Sequence, residues 1–531
     1  MLIKILLLVL FFAVTITVGI VCSKRNVSVG DFVLGGRSVG PWLTAFAYGT
    51  SYFSAVVFVG YAGQFGWNFG ISAAWIGIGN ALLGSLLAWV VLGRRTRIMT
   101  KHLGSATMPE FFGRRYDSRA LKIAASVLVF VFLVPYSASV YKGLSGLFAL
   151  SFDIPFSAVM IGMAVITGIY VIVGGYMATA VNDLIQGFIM LVGIVLILRG
   201  VLNGQGGFSS AIEALSQIPA SDTPALNGAY ASMFGPKPLQ LLSVLVLTSI
   251  GTWGLPQMVA KFYAIKNEAS IKTGTVISTI FALIIAGGSY FMGGFGRLYY
   301  HADTIAFDEI VPTMLADALP DALMGVVLLL VMSASMSTLS SLVLTSSSTF
   351  VIDFIGGIFP NKLSPKAQKR AIKALCACFI VLSVLIAIRP NSLITSLMSI
   401  SWGGTCRRIP RSLPFRSLLE ADNQNQCLGN HDFRCGLCIC QHRIRLDGSH
   451  RVRRNCHSFF LRHCAADQSC HSKDEERVCR RCVCLLQCTL GCFAKTIAWQ
   501  SRISLSEPKR AKNSPFWLGI FFKPLANQRN I

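Results

Sequence analysis

Charge is scarce in this chain: 47 Lys and Arg and 23 Asp and Glu together supply only 13% of 531 residues. Cysteine is scarcer still over the first 404 positions, where only Cys22, Cys376 and Cys378 occur, all inside apolar runs. A buried thiol there behaves as a small hydrophobe and carries no functional signal. So little charge, with 53% hydrophobic residues and a positive mean hydropathy, excludes an ordinary soluble domain and puts the chain in the membrane class.

From Thr405 onward the shortages reverse. No stretch there is long enough to span a bilayer, whereas 13 of the 16 cysteines and 22 of the 47 basic residues follow that point. The change falls inside an apolar stretch, NSLITSLMSISWGG at 391–404, which is about six residues too short to cross a membrane. Domains rarely meet halfway through a hydrophobic helix, so the two parts are read separately and function belongs to the first. The net charge of +24 divides into +13 after the break (22 basic, 9 acidic) and +11 before it (25 and 14). In the first part the basic residues mark loops, which removes the nucleic-acid reading.

Apolar runs near 2–22, 41–65, 71–92, 121–149, 156–175, 181–201, 238–257, 274–296, 322–348 and 372–388 predict ten spans, with 391–404 as part of an eleventh. The first lacks a small-residue cleavage site and is read as a retained helix. Basic residues concentrate in alternate loops: Lys24, Arg25 and Arg37; seven from Arg94 to Arg119; Lys261, Lys266 and Lys272; Lys362, Lys366, Lys369 and Arg370. The positive-inside rule puts these four loops in the cytoplasm and the N-terminus outside. No basic residue stands out in the middle of a span to pair a carboxylate, a task that the N-termini of broken helices can also perform.

Two spans are unusually polar. The second, TAFAYGTSYFSAVVFVGYAGQFG, carries Gly49, Thr50, Ser51 and Ser54; the ninth, LLLVMSASMSTLSSLVLTSSST, carries Ser333, Ser335, Ser337, Thr338, Ser340 and Ser341. Small and hydroxyl residues permit close helix packing, which explains any one of them. They also permit a broken helix whose freed carbonyls ligate a cation. The spacing of Ala334, Ser337 and Thr338 puts them on one helical face.

Five stretches together resemble the sodium/solute symporter family: GDFVLGGRSVGPWLTAFAYGTSYFSA at 30–55, GGYMATAVNDLIQG at 174–187, GTWGLPQMVAKFYAIK at 251–266, DEIVPTMLADALP at 308–320 and SASMSTLSS at 333–341. They lie in the family's order and cover nearly all of residues 1–404. The resemblance implies an all-α polytopic protein of the LeuT type, two inverted repeats of five helices after an extra N-terminal helix, with the second repeat cut short in its last helix. It also implies sodium as coupling ion, held by Thr50 and Phe53 on the broken helix and by Ala334, Ser337 and Thr338 on the ninth span. Asp183 matches a family acid on the ion's exit path, although its place near a helix end leaves a capping role open. Substrate candidates beside the break are Ser54, Gln64, Tyr136, Thr252, Trp253 and Pro256, each also readable as core or lipid-facing. Tyr and Trp pair apolar area with one polar handle, which suits a small organic solute. One departure bears on the substrate: the proline-transporting branch has an aspartate where this chain has Tyr52.

The function implied is sodium-coupled symport of a small organic solute by alternating access across the plasma (inner) membrane, with no enzymatic activity, no nucleic-acid partner and no cofactor beyond Na⁺. A proton-coupled or uncoupled transporter and a membrane sensor domain are the competing classes; no kinase-like soluble domain follows the spans. In the tail, Cys435-x2-Cys438 and Cys479-x2-Cys482 lie near His431, His442, His457 and His463, a zinc-like pattern. The thirteen cysteines there show no repeating interval, however, and no zinc site is expected. A shifted reading frame explains residues 405–531 better: codons for Leu, Val, Phe and Ile, displaced by a base, give Cys, Ser, Trp and Phe. Thr405 to Leu428 can be back-translated and read one base later as a Gly/Ala-rich helix with an aromatic belt and a basic end, so the chain as written is expected not to transport.

Overall fold

The computed structural model describes residues 2–24, 28–152, 155–219, 228–300, 306–359, 363–388 and 394. The tail after Gly404, with its cysteine pairs and its proposed change of frame, and the rest of the eleventh span lie outside the described residues. Among the described residues regular structure is helical, apart from an isolated bridge between Val39 and Ile265.

Seven of the described helical stretches are long and apolar enough to cross a membrane, and a bent pair makes an eighth. Two of the seven, Val56–His102 and Phe156–Gly204, run to 47 and 49 residues. At 1.5 Å per residue a 49-residue helix would reach about 74 Å, more than twice the ~30 Å hydrocarbon core. Each is divided by a glycine outside helical geometry: Gly70 (φ 64°, ψ −146°) and Gly175 (φ 60°, ψ −161°). A side chain at Gly70 would also strike the Tyr230 carbonyl, so only glycine fits that turn. With those two stretches divided and the bent pair counted as one, the described residues hold ten apolar helical segments, which overlie the apolar runs.

Two crossings are broken inside the bundle. Helix Pro41–Tyr52 stops at Phe53 (φ −109°, ψ 102°), and helical structure resumes at Ala55. Ser54 caps the restart, its Oγ accepting from the Val56 N–H at 3.2 Å and its carbonyl from Val57 at 2.9 Å. The second break follows Gly254: Leu255 is extended, Pro256 opens helix Pro256–Ala264, and the two halves meet at a 53° bend. Pro suits that first helical position because its missing N–H costs nothing there.

The four basic loops share one face. The Arg37 guanidinium donates to the Ser105 carbonyl at 2.5 Å and to the Tyr263 carbonyl at 3.5 Å. Arg97 donates to Ile265 and Lys266, Thr107 bonds to Asp353, and Arg119 reaches the carbonyls of Gly357 and Ile358. Elsewhere Arg297 stacks on Trp67 and Tyr230, and Trp75 donates to the Met233 carbonyl, joining the sparse loops. These loops are not bare coil: Arg94–His102, Met108–Arg115 and Phe208–Ser216 are helical.

Burial separates centre from rim. In the serine-rich helix, Asp321–Thr349 with its continuation to Ile358, 78% of the most apolar window is buried, against 17% for the N-terminal helix. The polar helix is therefore the hub of the bundle, while Leu6, Val9, Leu10 and Val21 of the N-terminal helix stay exposed, as a lipid-facing flank requires.

Candidate cation site

The first break and the serine-rich helix meet at their polar residues. Two other helices crowd the broken one at glycines: a Cβ at Gly49 would strike the Phe281 ring of helix Ala269–Gly293, and one at Gly187 would strike the Phe46 ring and crowd the Thr50 methyl. Ending the helix at Tyr52 leaves its last carbonyls short of backbone donors and points the negative end of its dipole into the bundle. Tyr52 and Phe53 stack at 4.3 Å beside the break.

Ser337 Oγ lies 3.1 Å from the Thr50 carbonyl oxygen and 3.1 Å from that of Ala334. Thr338 Oγ1 lies 3.1 Å and 3.0 Å from the same two oxygens. All four residues are fully buried. A hydroxyl carries one proton, so two protons serve four close oxygen pairs. Such a surplus of inward-facing lone pairs suits a small hard cation, which prefers neutral oxygen ligands. Neighbouring hydroxyls do not reach the break: Ser335, Ser340 and Ser348 bond back to their own helix without a contact to Thr50, and Ser333 Oγ has no hydrogen-bond partner among the described residues.

Of the five candidate sodium ligands the structure thus brings together Thr50, Ala334, Ser337 and Thr338. Phe53 stands at the break with its amide bonded to the Gly49 carbonyl at 3.3 Å. The substrate candidates divide. Tyr136 and Thr252 lie within interaction range of the Tyr52 phenol, which donates to the Thr248 carbonyl at 2.8 Å. Ser54 serves as the cap described above. Trp253 spends its indole N–H on the Leu83 carbonyl at 2.9 Å. Gln64 is buried on the far half of the broken helix, and Pro256 lines a cavity on the basic-loop side.

Asp183 and Lys261 correct the sequence reading. Asp183 is fully buried well inside the helical stretch ending at Gly204, beyond the turn at Gly175, so it is no cap. Lys261 belongs to the buried helix Pro256–Ala264, not to a loop. Its Nζ is 3.6 Å from Asp183 Oδ2, an ion pair without a direct hydrogen bond, and both carboxylate oxygens lack hydrogen-bond partners among the described residues. The same Nζ donates to Ser341 Oγ at 2.9 Å, and Ser341 shares a 2.8 Å hydrogen bond with Ser51. A basic residue does therefore stand inside a span. So does Lys142, half-buried with Asp308 as an electrostatic neighbour. The clue available for Lys261 was its place in an otherwise apolar turn, MVAKFYA.

The profile of the Sodium:solute symporter family matches residues 32–408. The sodium/proline symporter of Salmonella typhimurium is 27% identical over 401 residues, covering 73% of this chain and 78% of that protein. Sodium/proline symporters of Staphylococcus aureus reach 28% over 414 residues (75% and 78%). The osmoregulated proline transporter OpuE of Bacillus subtilis reaches 26% over 401 (74% and 80%). Among solved structures, a Na⁺-coupled sialic acid symporter in a substrate-bound, outward-open state superposes with a TM-score of 0.64 at 18% identity. The match covers 76% of this chain and 85% of that one, and the shared fold is the LeuT type.

Proposed function

This chain belongs to the sodium:solute symporter family, and from that premise we propose that its membrane part carries a small organic solute inward together with Na⁺ by alternating access. The observation that carries the reading is the meeting of Thr50, Ala334, Ser337 and Thr338, where four buried oxygens share two hydroxyl protons. Sodium takes that place, and neutral ligands let it leave again. Phe53 completes the set with its carbonyl as the two halves of the broken helix adjust. Asp183 receives the ion on its way out.

The N-terminus faces outward and the joined basic loops face the cytoplasm. The solute lies beside the first break, against Tyr52, Tyr136 and Thr252. Tyr52 brings a neutral phenol to a position where the proline-transporting branch has a carboxylate, so this pocket offers no acid there to a solute's amine. Among amino acids, monocarboxylates, sugars and vitamins, a competition screen identifies the solute.

One sodium crossing about 100 mV gains about 2.3 kcal/mol, and a tenfold gradient adds about 1.4 kcal/mol. Together these sustain a solute gradient of some hundreds-fold. The test is uptake into vesicles by a version with the frame restored after Gly404. Accumulation that requires an inward sodium gradient supports the reading. Equal accumulation without one contradicts it and favours proton-coupled or uncoupled transport.

A further inference from the structure

Lys261, the ion-pair partner of Asp183, is bonded to the serine-rich helix at Ser341, one helical turn along from the cation site. Ser341 follows Thr338 by three residues and Ser337 by four, so the three share a face of the serine-rich helix. Ser51 is next in sequence to Thr50. The hydrogen bonds Lys261–Ser341 and Ser341–Ser51 therefore tie the ammonium to both helices that build the sodium site. The partner carboxylate is held loosely, at 3.6 Å, with neither oxygen hydrogen-bonded among the described residues. A fully buried carboxylate in that state has unused capacity for a cation.

Beside Lys261 lies a cavity of about 20 Å³, bounded by Thr179, Gln257 and Ser341 and, on the basic-loop side, by Leu34 and Thr107. That volume holds about one water, and an ammonium head is of similar size. The Gln257 side chain is fully buried, and neither of its polar atoms has a partner among the described residues. A polar, roomy place thus exists next to the ammonium, and the lysine's flexible four-carbon stem allows it to move there.

We propose that Lys261 is a tethered cation that competes with sodium for Asp183, so that the carboxylate holds one of the two at a time. The inference rests on the sodium reading of the Thr50–Thr338 site. With no sodium at Asp183, the ammonium neutralises it. Sodium moving down from the upper oxygens displaces the ammonium into the cavity, because two cations at one buried carboxylate repel strongly in a medium of low dielectric. Return of the ammonium then expels sodium toward the basic-loop face. No group is consumed in the cycle, and Lys261 acts as a positioning residue for the ion.

The test is radioactive ²²Na⁺ binding to the purified 531-residue chain in lipid nanodiscs. Lys261→Met should tighten apparent sodium binding by about fivefold or more, the lower range of typical site-to-site coupling. Lys261→Arg, which keeps the charge, should stay within about twofold of the unsubstituted protein on the same scale. In an Asp183→Asn background Lys261→Met should change nothing, since the object of competition is gone. That comparison also serves if Lys261→Met alone fails to fold, because both buried charges are then removed. Unchanged or weaker binding in Lys261→Met, or a gain that persists with Asp183→Asn, overturns the inference. Binding indifferent to Thr338→Ala overturns the sodium-site reading and this inference with it; intact dependence on Thr338 without a Lys261 effect overturns this inference alone.

Discussion

The Thr338 hydroxyl lies 3.1 Å from the Thr50 carbonyl oxygen, although 288 residues separate them in sequence. The contact exists because one helix stops at Tyr52 and the other turns a run of hydroxyls toward the stop. Ser337 makes the same contact from the preceding position. Both hydroxyls also bond back to Ala334 within their own helix, as Ser335 and Ser348 do to Val331 and Leu344; the second contact, to Thr50, sets the pair apart.

The close approach of helices around the broken crossing rests on glycine. A Cβ at Gly293 would collide with the Ala62 carbonyl, and one at Gly66 with the Gly293 backbone. Gly293→Ala should therefore lower the melting temperature sharply, by the equivalent of about 1–3 kcal/mol of overpacking or more. Gly162→Ala, where nothing lies within 4 Å, should be neutral or stabilising by about 0.5–1 kcal/mol, as expected for Ala in a helix interior. Melting curves of the two variants in one detergent decide the matter.

Removing one member of the Asp183–Lys261 pair strands a buried charge. Asp183→Asn and Lys261→Met should each destabilise the fold by about 3–5 kcal/mol, and the double variant should recover much of that loss. Additive losses in thermal melts would show that the two side chains act independently.

The reading of residues 405–531 as out of frame predicts that the 531-residue chain accumulates no solute, whereas a version with the frame restored does. Entry of the 391–404 run into the membrane would draw in Arg407, Arg408 and Arg411, and each arginine at the bilayer centre costs about 2.5–3.5 kcal/mol. Sequencing the gene around codon 405 for one inserted or missing base is the first check. Sodium-driven uptake by the chain as written would refute the reading.

Much of the fold was legible because bilayer-length apolar runs leave little choice of element, and glycine turns such as Gly70 and Gly175 fall between them. The faces were legible because Lys and Arg cluster in alternate loops, and the contacts of Arg37, Arg97 and Arg119 join those loops. The Ala334, Ser337, Thr338 face followed from helical spacing together with the family's motifs. Lys261 was not legible. With Lys266 and Lys272 close behind, it reads as a loop charge, and only the bend at Leu255–Pro256 carries its helix back into the bundle against Asp183. Ser54 was equally ambiguous, since a hydroxyl at a broken helix serves a solute or the cap in the same sequence. Backbone geometry, not residue type, assigns its oxygen to Val56.

In the proposed cycle Ser337 and Thr338 complete a sodium site with Thr50. The most direct test of that site is the sodium affinity of four alanine variants along one helix, read from ²²Na⁺ binding. Ser337→Ala and Thr338→Ala each delete one of about five oxygen ligands and should weaken binding about tenfold or more, equivalent to at least about 1.4 kcal/mol. Ser333→Ala and Ser340→Ala remove hydroxyls that do not reach Thr50 and should leave the affinity within about twofold, well under that 1.4 kcal/mol step. Equal effects at all four positions, or no saturable sodium binding in the unsubstituted protein, would contradict the claim.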